Sequence, residues 1–81
     1  MFQVLILNIH PEKSDHVIYE GPSSSVVLPG ADGEFEILDF HKPIISTLKK
    51  GYIVIDNAKE IPITGGIAKM HLQSLVAMVE T

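Results

Sequence analysis

The chain has 81 residues, of which 46% are hydrophobic, and it carries a net charge of −4 and no cysteine. This length fits one domain, residues 1–81, and a domain of this size buries only about 60–65% of its unfolded surface. The missing cysteines exclude a disulfide framework, cysteine zinc sites and thiol catalysis, and the acidic balance argues against a nucleic-acid partner.

The N-terminal residues enter a strand pattern at once and lack the basic region of a signal peptide. No apolar run approaches the roughly 20 residues that a membrane-spanning helix needs. The high apolar content of so small a domain indicates that part of its surface is buried against another protein. We therefore expect a subunit of a larger assembly, with membrane contact made only through that assembly.

Short apolar segments with a period of two follow one another along the chain, and Val and Ile are frequent in them, as in strands. Turn residues separate these segments. The predicted strands are residues 3–9, 16–21, 23–28, 33–38, 44–48, 52–56, 60–64, 66–71 and 75–79. Closely spaced strands of this kind predict an all-β fold, a small antiparallel β-sandwich or flattened barrel of about nine or ten short strands.

The turn after the third predicted strand has the most explicit chemistry. The apolar run 26–28 is followed by Pro-Gly at 29–30 and Asp-Gly at 32–33. Proline presets φ near −65° and glycine supplies positive φ, so we expect a compact, exposed tip over 29–33. Polar groups on a stiff sheet corner are well placed for binding.

Three later features refine the fold. Pro62 lies inside a strand pattern and cannot donate to a central ladder, so its strand is predicted to be an edge or to carry a bulge. Gly65-Gly66 predicts a sharp bend or a close backbone approach. Residues 70–80 also show apolar spacing typical of a helix, but a helix of that length is marginal, and we favour a final strand.

Four acidic residues follow the central turn, namely Asp32, Glu34, Glu36 and Asp39. Catalytic carboxylates need an enclosed cleft and unlike environments, and an exposed turn provides neither. The four residues are therefore interpreted as a solvated rim or as a docking patch for basic groups.

Other polar residues give no sign of chemistry. His10 and His16 flank a turn, but two ligands do not define a structural zinc site. The Gly65-Gly66 segment lacks the spacing of a phosphate loop. The serine run over 23–25 has no adjacent base. On its residues alone His41 is a loop histidine with local hydrogen bonds, so no catalytic, metal or cofactor residues are predicted.

Several short motifs nevertheless occur in a fixed order along nearly the whole chain. They are the opening strand over 2–9, Pro11-Glu12, Tyr19-Glu20-Gly21, Val26-Val27-Leu28-Pro29-Gly30, Asp32-Gly33-Glu34-Phe35, His41-Lys42-Pro43-Ile44-Ile45, Gly51-Tyr52-Ile53 and Gly65-Gly66-Ile67. As an ordered set they resemble the N-terminal β domain of the F-type ATP synthase epsilon subunit.

The resemblance implies a rotor-stalk subunit that carries out no chemistry. Such a subunit fixes the gamma shaft to the membrane-embedded c-ring, so that proton- or sodium-driven rotation reaches the catalytic head during ATP synthesis. The implied location is the cytoplasmic face of the bacterial inner membrane, or an equivalent energy-transducing membrane. The implied partners are the gamma subunit and the c-ring.

The resemblance also implies site residues. Glu34 matches a residue at the polar loops of the c-ring, and Asp32 lies beside it; a charge-assisted pair with an arginine of those loops is expected. His41 matches a residue that contacts the gamma shaft, and Ser46 matches another shaft-facing position.

The chain departs from the family in two respects. Members usually continue into a C-terminal helical hairpin that can inhibit ATP hydrolysis and in some members binds ATP. This chain ends at Thr81, so we expect neither that switch nor a nucleotide site. Asp39-Phe40 stands where many members carry Pro-Gly, and Lys42 and Lys50 replace the commoner Ala and Pro, so the loop before the fifth strand is expected to differ in shape.

Two other classes remain open. A stand-alone β-sandwich binding module for carbohydrate or peptide would need an aromatic platform, yet aromatic residues are only 6% of the chain and tryptophan is absent. A small enzyme would need a convergent pocket of titratable groups, which the sequence does not show. The isolated chain is expected to be a monomer or to self-associate weakly.

Overall fold

The computed structural model describes residues 1–9 and 16–81, and every regular element in these ranges is a β-strand. The strands are β1 (Phe2–Asn8), β2 (Val17–Ser23), β3 (Ser25–Gly30), β4 (Gly33–Leu38), β5 (Ile44–Leu48), β6 (Gly51–Ile55), β7 (Lys59–Ile63), β8 (Gly65–His71) and β9 (Ser74–Glu80). All nine predicted strands are present, with ends that differ by at most two residues. The all-β prediction is confirmed, including a strand rather than a helix at the C-terminal end.

The strands form one curled sheet in the order β2-β1-β9-β8-β5-β3-β6-β7, with β4 paired to β3. Neighbouring strands are antiparallel except β1 and β9, which are parallel and place Gln3 beside Ser74 and Asn8 beside Val79. The predicted sandwich or flattened barrel is confirmed, but this pair departs from a purely antiparallel arrangement. An alternating pattern shows which face of a strand is buried and does not encode the direction of a distant partner.

Strands β5 to β8 form one long hairpin that bends halfway along. Leu48 of β5 pairs with Gly66 of β8, and the same register continues where Gly51 of β6 faces Ile63 of β7. The bend lies at residues 49–50 in one arm and between β7 and β8 in the other. The curled sheet forms two layers, with β5 and β8 in one and β6 and β7 in the other. The hairpin therefore joins the two layers covalently and by hydrogen bonds.

The tip of this hairpin is a turn of the kind that matches strand twist. Asp56 and Asn57 both have positive φ, 52° and 56°, and the Ala58 N–H donates to the Ile55 carbonyl at 3.0 Å. Two left-handed central residues define a type I′ turn, in which Asn and Asp are favoured.

The carboxylate of Asp56 fastens this tip to the corner between β2 and β3. Its Oδ1 accepts from the Ser24 N–H at 2.8 Å, the Ser23 hydroxyl at 2.8 Å and the Ser25 N–H at 3.1 Å. These hydrogen bonds, led by that of the Ser24 N–H, lower the pKa of Asp56 because they stabilise its charged form. The serine run therefore has a structural role.

A single hydrophobic core lies between the layers. On β1 the side chains of Phe2, Val4 and Ile6 are buried at every second position, as the alternation predicts. The core residues are Phe2, Val4, Ile6, Val26, Leu28, Ile37, Leu48, Ile53, Ile55, Ile61, Ile63, Ala68, Met70, Leu75, Ala77 and Val79. Every described strand except β2 contributes to this core, so the layers are expected to unfold together.

The turn between β3 and β4 is tighter than predicted. Pro29 and Gly30 are buried and belong to β3, so only Ala31 and Asp32 form the turn. The prediction that Pro-Gly is part of an exposed tip was wrong. The backbone there continues the sheet, since the Lys49 N–H donates to the Pro29 carbonyl at 2.8 Å and Gly30 pairs across two strands.

The two other backbone predictions are confirmed. Strand β7 lies at an end of the sheet order, and Pro62 within it is exposed and faces Tyr52. Gly66 has φ +156°, and a Cβ at this position would lie 2.4 Å from the carbonyl oxygen of Met78. Only glycine permits that approach of β8 to β9.

Candidate partner-binding surfaces

Asp32 and Glu34 are exposed at the end of the fold where β5 finishes. The turn that holds Asp32 is anchored because the Ala31 N–H donates to the Thr47 carbonyl at 2.9 Å. Glu34 is the second residue of β4 and lies opposite Pro29. Within residues 1–9 and 16–81 neither carboxylate has a hydrogen bond or an ion pair, so both are available to basic groups of another molecule. We call these two residues the acidic end.

The other two acidic residues of the predicted cluster are used inside the fold. Glu36 accepts a hydrogen bond of 2.7 Å from the Ser25 hydroxyl. Asp39 pairs with the N-terminal ammonium at 2.8 Å, and this hydrogen bond, helped by one from Gln73, lowers the pKa of Asp39. The structure therefore separates the four carboxylates, and a single docking patch of all four is not formed.

His41 lies in the loop that precedes β5, so the length of β5 separates it from the acidic end. Its Nδ1 is 2.7 Å from the carbonyl oxygen of Lys42. Because a carbonyl oxygen only accepts, Nδ1 carries the proton in this hydrogen bond, and Nε2 is left for another contact. The ring is half-buried, and its orientation is fixed by its own loop.

Ser46 is the third residue of β5 and is half-buried between two exposed neighbours. Its hydroxyl donates to the carbonyl of Thr47 at 3.1 Å. The structure thus places Ser46 midway between His41 and the acidic end. The two predicted shaft contacts, His41 and Ser46, do not touch the acidic end.

A second surface was missed in the sequence. The side of the β1, β9, β8 and β5 layer that faces away from the core carries apolar side chains in cross-strand rows. One row runs Leu7, Met78, Ile67, and the next runs Leu5, Val76, Lys69, Ile45. We call this the outer face, defined by Leu5, Leu7, Ile45, Ile67, Val76 and Met78.

The outer face is open to solvent. Ile45 is 68% exposed, Met78 43% and Ile67 39%. These three side chains line a shallow cavity of about 290 Å³ together with Ala68, Lys69 and Val76. A contiguous apolar surface of this kind on a small protein is typical of a site that another protein covers.

A sequence signal for this surface exists. Residues 75–79 are Leu, Val, Ala, Met and Val without interruption, whereas a strand with one solvated face alternates apolar and polar residues. An uninterrupted apolar run in a strand indicates that both of its faces are to be covered. The core covers one face of β9, and nothing in the described part of the chain covers the other.

No metal-binding arrangement is seen among the described residues. They contain no group of three or more His, Asp or Glu side chains arranged to hold a metal ion. His10 lies outside the described residues, so the His10–His16 pair considered above is not described. Residues 65–69, which faintly resemble a phosphate loop, are part of strand β8. In the described ranges, no helix is long and apolar enough to cross a membrane.

The fold and its surfaces thus define a small, rigid all-β protein with surfaces suited to binding other proteins. The family described as "ATP synthase, Delta/Epsilon chain, beta-sandwich domain" matches residues 9–81. The chain belongs to this family, which confirms the resemblance stated above.

Individual relatives agree with this assignment. The chain is 45% identical over 68 residues to an ATP synthase epsilon chain of Campylobacter jejuni, covering 79% of this chain and 53% of that protein. It is 33% identical over 79 residues to the epsilon chain of Bordetella avium, covering 93% of this chain and 56% of that protein. The chain therefore spans just over half the length of these curated relatives.

Solved structures share the fold. A chain in the central stalk and c-ring structure of Tetrahymena thermophila mitochondrial ATP synthase matches with a TM-score of 0.73 and 17% identity, covering 98% of this chain and 63% of that chain. A chain in the Euglena gracilis mitochondrial ATP synthase structure matches with a TM-score of 0.74 and 16% identity, covering 100% of this chain and 52% of that chain. At these identities the likeness concerns the fold.

Proposed function

We propose that this chain is a non-catalytic central-stalk subunit of an F-type ATP synthase, which links the gamma shaft to the c-ring. The observation that carries the proposal is the uncovered outer face on a chain that belongs to the ATP synthase delta/epsilon family. Apolar side chains on four adjacent strands provide a surface of the kind found at the centre of protein interfaces.

The gamma shaft is assigned to the outer face and to the loop at its edge. His41 and Ser46 are the residues carried over from the family resemblance, and Ile45, next to Ser46, is the most exposed side chain of the outer face. A partner seated on the outer face would contact Ile45, whereas Ser46 points to the opposite side of β5 and would need a contact of its own. Burial of this face would contribute affinity, whereas the polar residues would set the register.

The c-ring is assigned to the acidic end. Asp32 and Glu34 lack partners in the described part of the chain and would pair with basic side chains of the c-ring loops. Exposed ion pairs contribute only about 0–1 kcal/mol each, so this contact steers the position of the subunit more than it holds it. The subunit would lie at the cytoplasmic face of a proton- or sodium-translocating membrane, with membrane contact through the complex and no nucleotide bound.

The test is capture of purified gamma subunit and purified c-ring by this chain and by three variants. Ile45→Thr removes an exposed apolar group and keeps a β-branched residue in β5. The double variant D32N/E34Q removes both charges of the acidic end. Glu60→Gln, on the exposed side of edge strand β7, is the control for loss of one charge.

We expect Ile45→Thr to weaken gamma capture on the order of tenfold and to leave c-ring capture unchanged. The double variant should weaken c-ring capture several-fold at low salt and lose this effect at about 0.5 M salt. Absence of gamma and c-ring binding by the unaltered chain would refute the proposal. Binding of an oligosaccharide or a peptide instead would favour the stand-alone module.

A further inference from the structure

The most exposed large apolar side chains beyond the first residue lie together at one corner of the fold, outside the outer face. Phe40 is 87% exposed and Leu72 is 74% exposed. Phe40 belongs to the loop before β5, and Leu72 to the turn between β8 and β9. The two residues line a shallow cavity of about 430 Å³ together with His41, Lys42, Pro43 and Gln73. We call these six residues the apolar corner.

Both apolar residues have an unfavourable backbone conformation. Phe40 has φ 62° and Leu72 has φ 57°, in the left-handed region that bulky residues avoid. A smaller residue, Gly or Asn, would adopt these angles more easily. The fold therefore holds two large apolar side chains in water on strained backbone, an arrangement that is unfavourable for stability and is often found at binding sites.

The corner is also held rigid. The side-chain oxygen of Gln73 accepts from the Phe40 N–H at 3.0 Å, and its amide nitrogen donates to Asp39 Oδ1 at 3.1 Å. Asp39 in turn pairs with the ammonium group of Met1. These contacts join the loop, the hairpin turn and the N-terminus, so the backbone at Phe40 is held in place before any partner arrives, which reduces the entropy lost on binding.

The charge around the corner selects the partner. Lys42 is exposed within the lining, and His71 is exposed immediately before Leu72. Apart from Asp39, which is neutralised by the N-terminal ammonium, the lining and its neighbours carry no acidic side chain. On a chain of net charge −4, this corner has Lys42 as the one formally charged side chain of its lining. It fits an apolar segment flanked by Asp or Glu, because opposite charges around an apolar contact favour the correct orientation.

We propose that Phe40 and Leu72 form an apolar anchor that inserts into a pocket of the gamma subunit bordered by acidic side chains. This inference rests on the proposed function, since it places the anchor beside the His41 contact. It adds two contact residues, Phe40 and Leu72, that the family resemblance did not supply and that the outer face does not contain.

The experiment measures the affinity of the full 81-residue chain for purified gamma subunit, with Phe40→Gly and Leu72→Asn as variants. Both substitutions suit positive φ, so the thermal midpoint should stay unchanged or rise. Lost binding then cannot be attributed to unfolding. Ile45→Thr on the outer face serves as the comparison variant.

We expect each variant to raise the Kd for gamma on the order of tenfold, as for a truncated anchor residue. Lys42→Gln should reduce the dependence of the Kd on salt. If Phe40→Gly and Leu72→Asn bind gamma as tightly as the unaltered chain while Ile45→Thr binds more weakly, the anchor is refuted and the proposed function stands. If the unaltered chain does not bind gamma, both are refuted.

Discussion

Replacement of Gly66 by alanine tests how closely β8 and β9 approach at the bend of the long hairpin. A Cβ at Gly66 would lie 2.4 Å from the Met78 carbonyl oxygen and 2.9 Å from the Val79 Cα, both backbone atoms of β9. Neither atom moves without opening the β8–β9 ladder, because Gly66 pairs with Val79. Gly66 also has φ +156°, which adds strain for any residue with a Cβ.

The expected magnitude follows from these two effects. Overpacking against an ordered structure costs about 1–3 kcal/mol, and an unfavourable φ costs about 1–3 kcal/mol. The free energy of unfolding should therefore fall by about 2–6 kcal/mol. For a domain of this size, each kcal/mol lowers the thermal midpoint by about 4–8 °C, so Gly66→Ala should melt at least about 8 °C lower.

Two other glycines separate the clash from the strain. Gly33 has φ +131°, and a Cβ added there would meet no atom within 4 Å, so Gly33→Ala introduces strain alone. Gly65 has no unusual φ, and the nearest atom to its added Cβ would be the Leu48 carbonyl oxygen at 3.7 Å, an ordinary contact. Gly65→Ala should change the free energy of unfolding by no more than about 1 kcal/mol.

Urea unfolding of the three variants, followed by circular dichroism, measures this order of stability. Because the domain is small, the comparison is made in a stabilising osmolyte, which keeps a weakened variant folded at zero urea. The expected order is Gly65→Ala most stable, then Gly33→Ala, then Gly66→Ala. If Gly66→Ala lowers the free energy of unfolding no more than Gly33→Ala does, the close approach of β8 to β9 adds no cost of its own and the reasoning is refuted.

Two further predictions concern Asp56, which fastens the corner between β2 and β3, and the hydrophobic core. Asp56→Ala should destabilise the fold at pH 7 by removing three hydrogen bonds. Because the pKa of Asp56 is lowered in the fold, its contribution to the free energy of unfolding is present above the unfolded-state pKa of about 3.9. That contribution is lost as pH falls through the folded-state pKa. Denaturation from pH 7 to pH 3 checks this, and a stability difference that does not shrink in acid would contradict it. Leu28→Ala, at a fully buried side chain, should cost about 2–5 kcal/mol, whereas Ile45→Ala, at a side chain 68% exposed, should cost less than about 0.5 kcal/mol; urea unfolding compares the two, and equal losses would mean that the outer face is part of a core.

Much of the fold was predictable because its strands alternate. On β7 the buried side chains, Ile61 and Ile63, are every second residue. On β1 the buried Phe2, Val4 and Ile6 also alternate, but the strand is apolar at Leu5 and Leu7 as well. Pro62 marked an edge strand because proline lacks a backbone donor. These signals are local, and a single strand is enough to carry them.

The errors arose where a distant strand determines the local structure. Pro29-Gly30 has the chemistry of a turn, yet the backbone of β5 and of Lys49 just after it provides partners that keep both residues in the sheet. The parallel pairing of β1 and β9 joins the two ends of the chain, and no local pattern specifies it. The acidic cluster was predicted from closeness in sequence, whereas Ser25 and the N-terminus remove two of its members.

The candidate surfaces were predictable only in part, for a similar reason. Asp32 and Glu34 could be found from turn chemistry, and the family resemblance supplied His41 and Ser46. The outer face required the register of four strands, which sets Leu5 beside Val76 and Ile67 beside Met78. In the sequence, the uninterrupted apolar runs over 4–7 and 75–79 indicated it.

Strand β5 explains how the two proposed surfaces can act on each other. It begins beside the loop that holds His41, carries Ile45 and Ser46 along its length, and ends at the turn that holds Asp32. At that end the Ala31 N–H bonds to Thr47 and the Lys49 N–H to Pro29, at 2.9 and 2.8 Å.

A force applied at one end of β5 therefore reaches the other through covalent bonds and short hydrogen bonds. The strand is held along its whole length by β8 and borders the common core, and packed interiors yield little under load. A subunit that joins a shaft to a ring must resist shear between its two contacts. An arrangement in which one paired strand connects both contacts meets this requirement without a moving part.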